Sequence, residues 1–404
     1  MDPCADMSGH AASGISSPSL FGGVAGPKIL LVCRDPSWDR AVRDATAGIG
    51  RCGTVSSVAA DVALRHLAAL PDHYSHLLVE NSSDETLLDT LIQLTSNAAG
   101  SETEILMLGG GINHVPHVNV IAAATSQSVR EALMLNPPQR GQTRTDLQLS
   151  EVRAALANAQ ISARYQPIVR LKDRGLAALE VLARLDHPVI GTVMPDRFVP
   201  QVEDAGLAEQ LTELIAARAF ADMTSSALNT LKTPITINFP LSVLLRSEAI
   251  AVLEAQRTAS GLPADQIVVE LTESTPVEDF VALRKAVEHV RALGYRAAID
   301  DVSPTVPGLR ELLSIPFTSL KLDKDLFAGQ LDDAGTEDFV RDTIRRAHEN
   351  GMLVIAEGIE TVDMWRRVKA LEVDAAQGFL IARPLPAAAV PIWLEGWQAS
   401  SLLD

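Results

Sequence analysis

Basic residues are in short supply in this chain of 404 residues: Lys and Arg total 34 against 51 Asp and Glu, a formal charge of −17. A summed field of that sign repels polyanions unless cations are locally concentrated, which argues against a nucleic acid polymer as partner. Cysteine is almost absent, and Cys4, Cys33 and Cys52 are too few and too scattered for a disulfide framework or a Cys-x-x-Cys metal site. That usage fits a reducing compartment, and a cytoplasmic protein is expected. Long apolar runs are missing as well. The longest, such as Ile29 to Cys33, are strand-sized, far below the ~18 residues that a bilayer span requires, so no membrane association is expected. Near the start, Asp2 and Asp6 stand where a secretory signal needs Lys or Arg, and residues 1–27 read as a flexible tail.

What remains is ordinary globular material, 47% apolar and 21% charged, long enough for two or three domains. From Pro27 short apolar runs alternate with helical patterns. Runs at Ile29 to Val32, Thr54 to Val58, His76 to Glu80 and Glu104 to Leu108 are interleaved with amphipathic stretches at Trp38 to Ile49, Ala59 to Leu70, Asp84 to Ala98 and Ser126 to Leu135. Such alternation predicts a doubly wound α/β domain over residues 28–136, followed by a Pro- and Gly-bearing linker over 137–149. The N-terminal unit resembles response-regulator receiver domains in pattern but lacks their phosphate chemistry. Glu80 replaces the acceptor Asp after the third run, only Asp35 follows the first, and Ala122 to Thr125 offers no Lys. A pseudo-receiver serving dimerisation or a signalling protein partner is the expectation. Gly109 to Gly111 reads as a turn rather than a phosphate cradle, and His114 with His117 as a loop rather than a metal site.

Residues 150–404 have the length of one (β/α)8 barrel, in which reactive groups close the C-terminal ends of strands. Several apolar runs here end on acids or amides. Leu176 to Leu185 is interrupted by Glu180 and Arg184, which share a face of a strand but equally form an i, i+4 pair on a helix. Pro234 to Asn238 ends on an amide that could also start a turn, and Gln266 to Glu273 ends on Glu270 and Glu273, which could instead open a helix. Asp300 and Asp301 are adjacent carboxylates that repel unless a cation or proton lies between them, unless they are solvated helix caps. Leu320 to Asp323 alternates apolar residues with Lys321 and Asp323, compatible with an exposed edge strand; Glu357 closes Leu353 to Ala356, and Gln377 follows Val373 to Ala376. Taken singly each has a plain structural explanation. Together they place enough oxygen ligands on one rim for two hard divalent cations, which points to a metal-dependent phosphoesterase.

The order of Tyr165-Gln166-Pro167-Ile168-Val169, Glu180-Val181-Leu182-Ala183-Arg184, Ile237-Asn238, Glu270-Leu271-Thr272-Glu273-Ser274, Asp300-Asp301, Leu320-Lys321-Leu322-Asp323, Ala356-Glu357-Gly358-Ile359-Glu360-Thr361, Gln377-Gly378-Phe379 and Arg383-Pro384-Leu385 resembles that of the EAL domain family. The resemblance implies an EAL-type TIM-like barrel that hydrolyses cyclic di-GMP to linear pGpG by in-line attack of water on one phosphodiester. It assigns Glu180, Asn238, Glu270, Asp300 and Asp301 as ligands of two Mg²⁺ or Mn²⁺ ions, with Glu357 as a further acid of the metal site. It makes Lys321 and Gln377 part of the water-activating machinery, Gln166 and Arg184 contacts to the dinucleotide, and Glu273 the anchor of a nearby loop. A homodimer is also implied.

Two departures stand out. The signature reads Glu-Val-Leu rather than Glu-Ala-Leu at 180–182, a mild change. After Asp301, where the family has a glycine-rich loop, this chain has Val302-Ser303-Pro304-Thr305-Val306-Pro307-Gly308, and its two prolines fix φ and remove donors. Weak hydrolysis, or the alternative of a catalytically inactive cyclic di-GMP receptor or protein-interaction regulator, follows from that loop.

Overall fold

The computed structural model describes residues 28–46, 54–58, 63, 76–80, 104–108, 119–121, 124–135, 147–188, 191–225, 227–272, 277–328 and 334–399. The expected tail over 1–27, most of the helices read at 59–70 and 84–98, Gly109 to Gly111, His114, His117, linker residues 137–146 and Glu273 lie outside the described residues.

The N-terminal strands are β1 (Lys28–Val32), β2 (Thr54–Ser57), β3 (His76–Glu80), β4 (Glu104–Leu108) and β5 (Asn119–Ile121), all parallel, in the order β2-β1-β3-β4-β5. This order reverses direction beside β1, as doubly wound sheets do. Parallel strands are covered on both faces, which is why Ile29, Leu30 and Leu31 run uninterrupted and are fully buried. The helices Pro36–Thr46 and Ser126–Leu135 cover one face, with Trp38, Val42, Val129 and Leu133 packed against Ile29, Leu31 and Leu78. At the C-terminal end of β3, the Glu80 carboxylate accepts hydrogen bonds from the backbone N–H groups of Arg34 and Asp35, the latter at 3.1 Å. The Glu80 side chain is thus tied to the loop after β1.

The second unit opens with the helix Leu149–Ala157, one residue ahead of the expected boundary, whose start is closed by Gln148 N–H on Glu151 at 2.9 Å. Eight strands then close a barrel: β6 (Ile161–Arg170), β7 (Leu176–His187), β9 (Ile235–Pro240), β10 (Ile267–Thr272), β11 (Arg296–Val302), β12 (Ser319–Leu322), β13 (Leu353–Ala356) and β14 (Ala375–Ala376), with β8 (Gly191–Val193) hairpinned onto β7. Leu176 to Leu185, Ile235 to Asn238, Ile267 to Thr272 and Leu320 to Leu322, ambiguous from sequence, all lie on strands. Lys321 lies on a strand buried at every position, not on an exposed edge.

One feature departs from a uniform βα alternation. β6 is antiparallel to both its neighbours, β7 and β14. The connection 171–175 is too short for the dozen or so residues that a parallel crossover needs. It is instead a turn in which Asp173 Oδ1 accepts from Gly175 N and Arg170 Nε, both at 2.9 Å. β6 therefore runs down from the rim where the other strands end, and its register sets Ser162 opposite Arg184, Arg164 opposite Leu182 and Gln166 opposite Glu180.

His76, on β3, is 2% exposed, and burial pulls its pKa from 6.5 to about 4. The unfolded chain therefore takes up a proton below pH 6.5 while the folded imidazole stays neutral until about pH 4. Stability of the N-terminal unit is predicted to fall across that window as pH drops, by an amount on the order of 3 kcal/mol. Urea unfolding at several pH values checks this, and a His76→Asn variant should lose that part of the slope.

Candidate active site

Parallel barrel strands end on one rim, so acids at their C-terminal ends converge. Glu180 comes from β7, Asn238 from β9, Glu270 from β10, Asp300 and Asp301 from β11, and Lys321 from β12. Glu357 and Gln377 follow β13 and β14, their backbone N–H groups fixed on Leu322 O at 3.1 Å and Ala356 O at 2.9 Å. Of the expected site residues, these eight gather at the mouth together with Gln166.

Adjacent residues of a regular strand face opposite sides, so Asp300 and Asp301 should not share a cavity. They do because the β11–β12 register shifts between Ile299 and Val302, and Asp301 takes a φ of +52°. Asp tolerates this left-handed region better than most residues, at a cost of ~1–2 kcal/mol.

The centre of the site is Lys321, 1% exposed. Its Nζ lies 2.5 Å from Glu270 Oε1, 2.8 Å from Glu357 Oε1, 3.1 Å from Asp300 Oδ1 and 3.5 Å from Glu180 Oε1. Burial disfavours the ammonium, but Asp300, Glu180, Glu270 and Glu357 together outweigh it and hold its pKa well above the ordinary lysine value. Glu270 is pushed well above the carboxylate range, first by burial, with Lys321 opposing and Asp300 and Glu180 adding. The same causes raise Glu357 to about 8. Asp301 rises to about 6 through burial, then through Asp300 and Asp323. One ammonium does not neutralise this many acids, and burial, followed by the repulsion among them, keeps these values raised.

The donor set fits hard divalent cations. Oxygens of Glu180, Glu270 and Asp300 lie within 4.8 Å of one another, and so do those of Asp300, Asp301 and Glu357, so Asp300 belongs to both groups. Asn238 Oδ1 and Glu270 Oε2 are buried acceptors without a donor among the described residues, which is what a cation's ligands look like before the ion is added. The Asn238 amide nitrogen donates to Glu180 Oε1 at 3.3 Å, and Asn238 Oδ1 is the oxygen left without a donor.

Gln377 Nε2 donates to Gln166 Oε1 at 3.1 Å and also to Glu180, and Gln166 Nε2 donates to Ala382 O at 3.1 Å. These bonds fix the orientation of Glu180. Gly378 makes them geometrically possible: a Cβ there would fall 2.1 Å from Ile359 N and 2.3 Å from its O. Beside the acids opens a cavity of about 480 Å³, whose polar floor is Glu180, Asn238, Asp300 and Asp301 and whose apolar wall includes Val199, Leu211 and Ile215 from the helices Pro195–Asp204 and Ala208–Thr224. Gln166 and Arg184, expected to touch substrate, do not line it; Gln166 is 8% and Arg184 1% exposed. The wall residues escaped the sequence reading because apolar positions of amphipathic helices look the same whether they face core or cavity. Asp323, near Asp301, was visible only as a flank of Lys321. The proline-bearing segment after Asp301 is an ordered turn, with Val306 N on Ser303 O at 3.2 Å, leading through Gly308 (φ +69°) into the helix Leu309–Leu312.

Removing Lys321 strands its acids. Lys321→Met is predicted to destabilise the barrel by about 3–5 kcal/mol in urea unfolding without divalent ions, with recovery on adding Mn²⁺. Gly378→Ala should also destabilise, by displacing Ile359, whatever the ion content.

With this geometry in view, the relatives are informative. Over 247 residues the chain is 28% identical to the oxygen sensor protein DosP of Escherichia coli, covering 60% of this chain and 31% of that one. It is 30% identical over 259 residues to the cyclic di-GMP phosphodiesterase NbdA of Pseudomonas aeruginosa, covering 63% and 33%. The chain thus spans about a third of the length of either. Among solved structures, a PaMucR phosphodiesterase in complex with c-di-GMP is similar at 27% identity with a TM-score of 0.56, covering 60% of this chain and 100% of that one. The EAL enzyme Bd1971, bound to cAMP and cyclic-di-GMP, is similar at 26% identity with a TM-score of 0.55, covering 67% and 79%. The family model described as the EAL domain matches residues 149–384, and the chain belongs to the EAL domain family.

Proposed function

We propose that this chain is a cyclic di-GMP phosphodiesterase that opens the ring to linear pGpG. The observation that carries the reading is the pair of oxygen clusters sharing Asp300 around a buried ammonium, at the floor of a cavity large enough for a nucleotide base. Glu180, Asn238, Glu270, Asp300, Asp301 and Glu357 would hold two Mg²⁺ or Mn²⁺ ions, which supply Lewis acidity at the phosphoryl oxygen and a water of lowered pKa. Lys321, pinned by its carboxylates, positions the attacking water and stabilises the charge that develops on it. Gln377 keeps Glu180 and Gln166 in register. A P–O bond to the water oxygen forms, the P–O bond to one ribose breaks, and a proton from the water passes to the departing ribose oxygen, which leaves as a hydroxyl. The apolar wall of Val199, Leu211 and Ile215 accepts a guanine face and excludes water. A small dianion also removes the objection raised by the chain's net charge.

A second reading is favoured by one observation. Pro304 and Pro307 replace the flexible glycine-rich loop with a fixed turn, as in a receptor that binds the dinucleotide without turnover. The N-terminal sheet, with Glu80 engaged by the β1 loop, suits a pseudo-receiver that takes a protein partner or supports a homodimer. Among the described residues no helix is long and apolar enough to cross a membrane. A cytoplasmic location, where the dinucleotide would be met, completes the proposal.

Incubation with cyclic di-GMP and Mn²⁺, followed by chromatography, should yield pGpG. Glu180→Ala should abolish the product and Lys321→Ala should reduce the rate by about 10²-fold or more. Intact dinucleotide bound to the wild type over many expected turnovers would establish the receptor reading instead.

A further inference from the structure

A strained residue stays in place only where its surroundings over-determine it, and Asp301 holds a φ of +52° just ahead of the segment 302–308. The strand side supplies one restraint. Ile299 pairs with Leu320 and Val302 with Leu322 on either side of the bulge, and Val302 O accepts from Asp323 N at 3.1 Å. Downstream, Pro304 and Pro307 each fix φ, Val306 N donates to Ser303 O at 3.2 Å, and the hydroxyls of Ser303 and Thr305 are hydrogen-bonded at 2.9 Å. A turn this stiff passes a displacement of its far end back to its near end, where Asp301 sits.

That far end is seated on the helix Phe280–Ala292. The Phe280 ring lies against the bare backbone of Gly308, where a Cβ would fall 3.0 Å from ring Cε2 and closer still to Cζ. Gly308 has a φ of +69°, so conformation and contact both demand glycine there. Phe280 is itself fixed, because Asp279 caps the helix start, its Oδ1 accepting from Val281 N and Ala282 N, both at 2.9 Å. One turn on, Arg284 Nη2 donates to Ser314 Oγ at 2.8 Å, beyond the helix Leu309–Leu312 that Gly308 opens. That second tie is exposed to water and adds little, so the half-buried ring is the seat that matters.

We propose that Phe280 is a positioning residue for Asp301: its ring, seated on Gly308, holds the stiff turn so that the Asp301 carboxylate stays with those of Asp300 and Glu357. This rests on the two-ion reading of the site for what Asp301 binds, but the seat itself is defined by Phe280 and Gly308 alone. Of the two oxygen groups, one contains Asp301 and the other, Glu180 with Glu270 and Asp300, does not. A slack turn therefore costs one ion and spares the other. Pro304 and Pro307 then transmit the restraint instead of disabling the site.

The test compares wild type with Phe280→Ala, Phe280→Leu, Asp301→Asn and the double variant Phe280→Ala/Asp301→Asn. Calorimetric Mn²⁺ titration, amide hydrogen exchange and melting temperature would be measured. The proposal expects Phe280→Ala to bind one of two Mn²⁺ ions at least about tenfold more weakly and the other within about twofold of wild type. Phe280→Ala should add nothing in the Asp301→Asn background, because the group it positions is already gone. The amides of Val306 and Asp323, which bond to Ser303 O and Val302 O, should exchange faster in Phe280→Ala. Should that variant fail to fold, Phe280→Leu carries the same comparison at a smaller loss of about threefold. Unchanged Mn²⁺ affinities beside a lowered melting temperature would overturn the proposal, assigning the ring to packing alone, as would additive losses in the double variant. If the wild type takes up no Mn²⁺, the two-ion reading fails. Faster exchange confined to Val306 and Asp323 would then keep Phe280 as the restraint on the turn, and unchanged exchange would remove it too.

Discussion

Excess negative charge gathered around one buried ammonium is the constraint on which the barrel mouth depends. Lys321 meets Glu180, Glu270, Asp300 and Glu357 at 2.5 to 3.5 Å, with Asp301 adding a further acid to the rim. In a low-dielectric setting such a cluster persists only if cations or protons balance it. The raised pKa values of Glu270, Glu357 and Asp301 are the proton side of that balance, and the orphaned oxygens of Asn238 and Glu270 are the cation side. Backbone features elsewhere serve the same cluster. The bulge at Asp301 turns a second carboxylate to the mouth, and the close approach at Gly378 delivers Gln377 to Glu180.

Much of this was legible in the sequence, and the limits were physical. Runs such as Val268 to Glu270 and Ala297 to Asp300 declare themselves because an acid closing an apolar strand is costly without a purpose. Strand direction is invisible to periodicity, so nothing in the motif Tyr165 to Val169 told that β6 runs antiparallel to its neighbours. Glu180 and Arg184 share a face on either a strand or a helix, and only the barrel decides. For Lys321 an exposed edge stayed open as an alternative, because alternation says nothing of what covers the charged face. Glu273 lies outside the described residues, so its assigned role as a loop anchor stays with the resemblance.

The central claim is that the acids around Lys321 form a centre for two divalent ions, with Asp300 common to both. Calorimetric titration of Mn²⁺ into the wild-type chain and into Asp300→Asn tests it most directly. Two ions per wild-type chain, with both weakened in Asp300→Asn, is the predicted result. A wild type that takes up no Mn²⁺, or an Asp300→Asn variant that binds two ions as tightly as before, would contradict it.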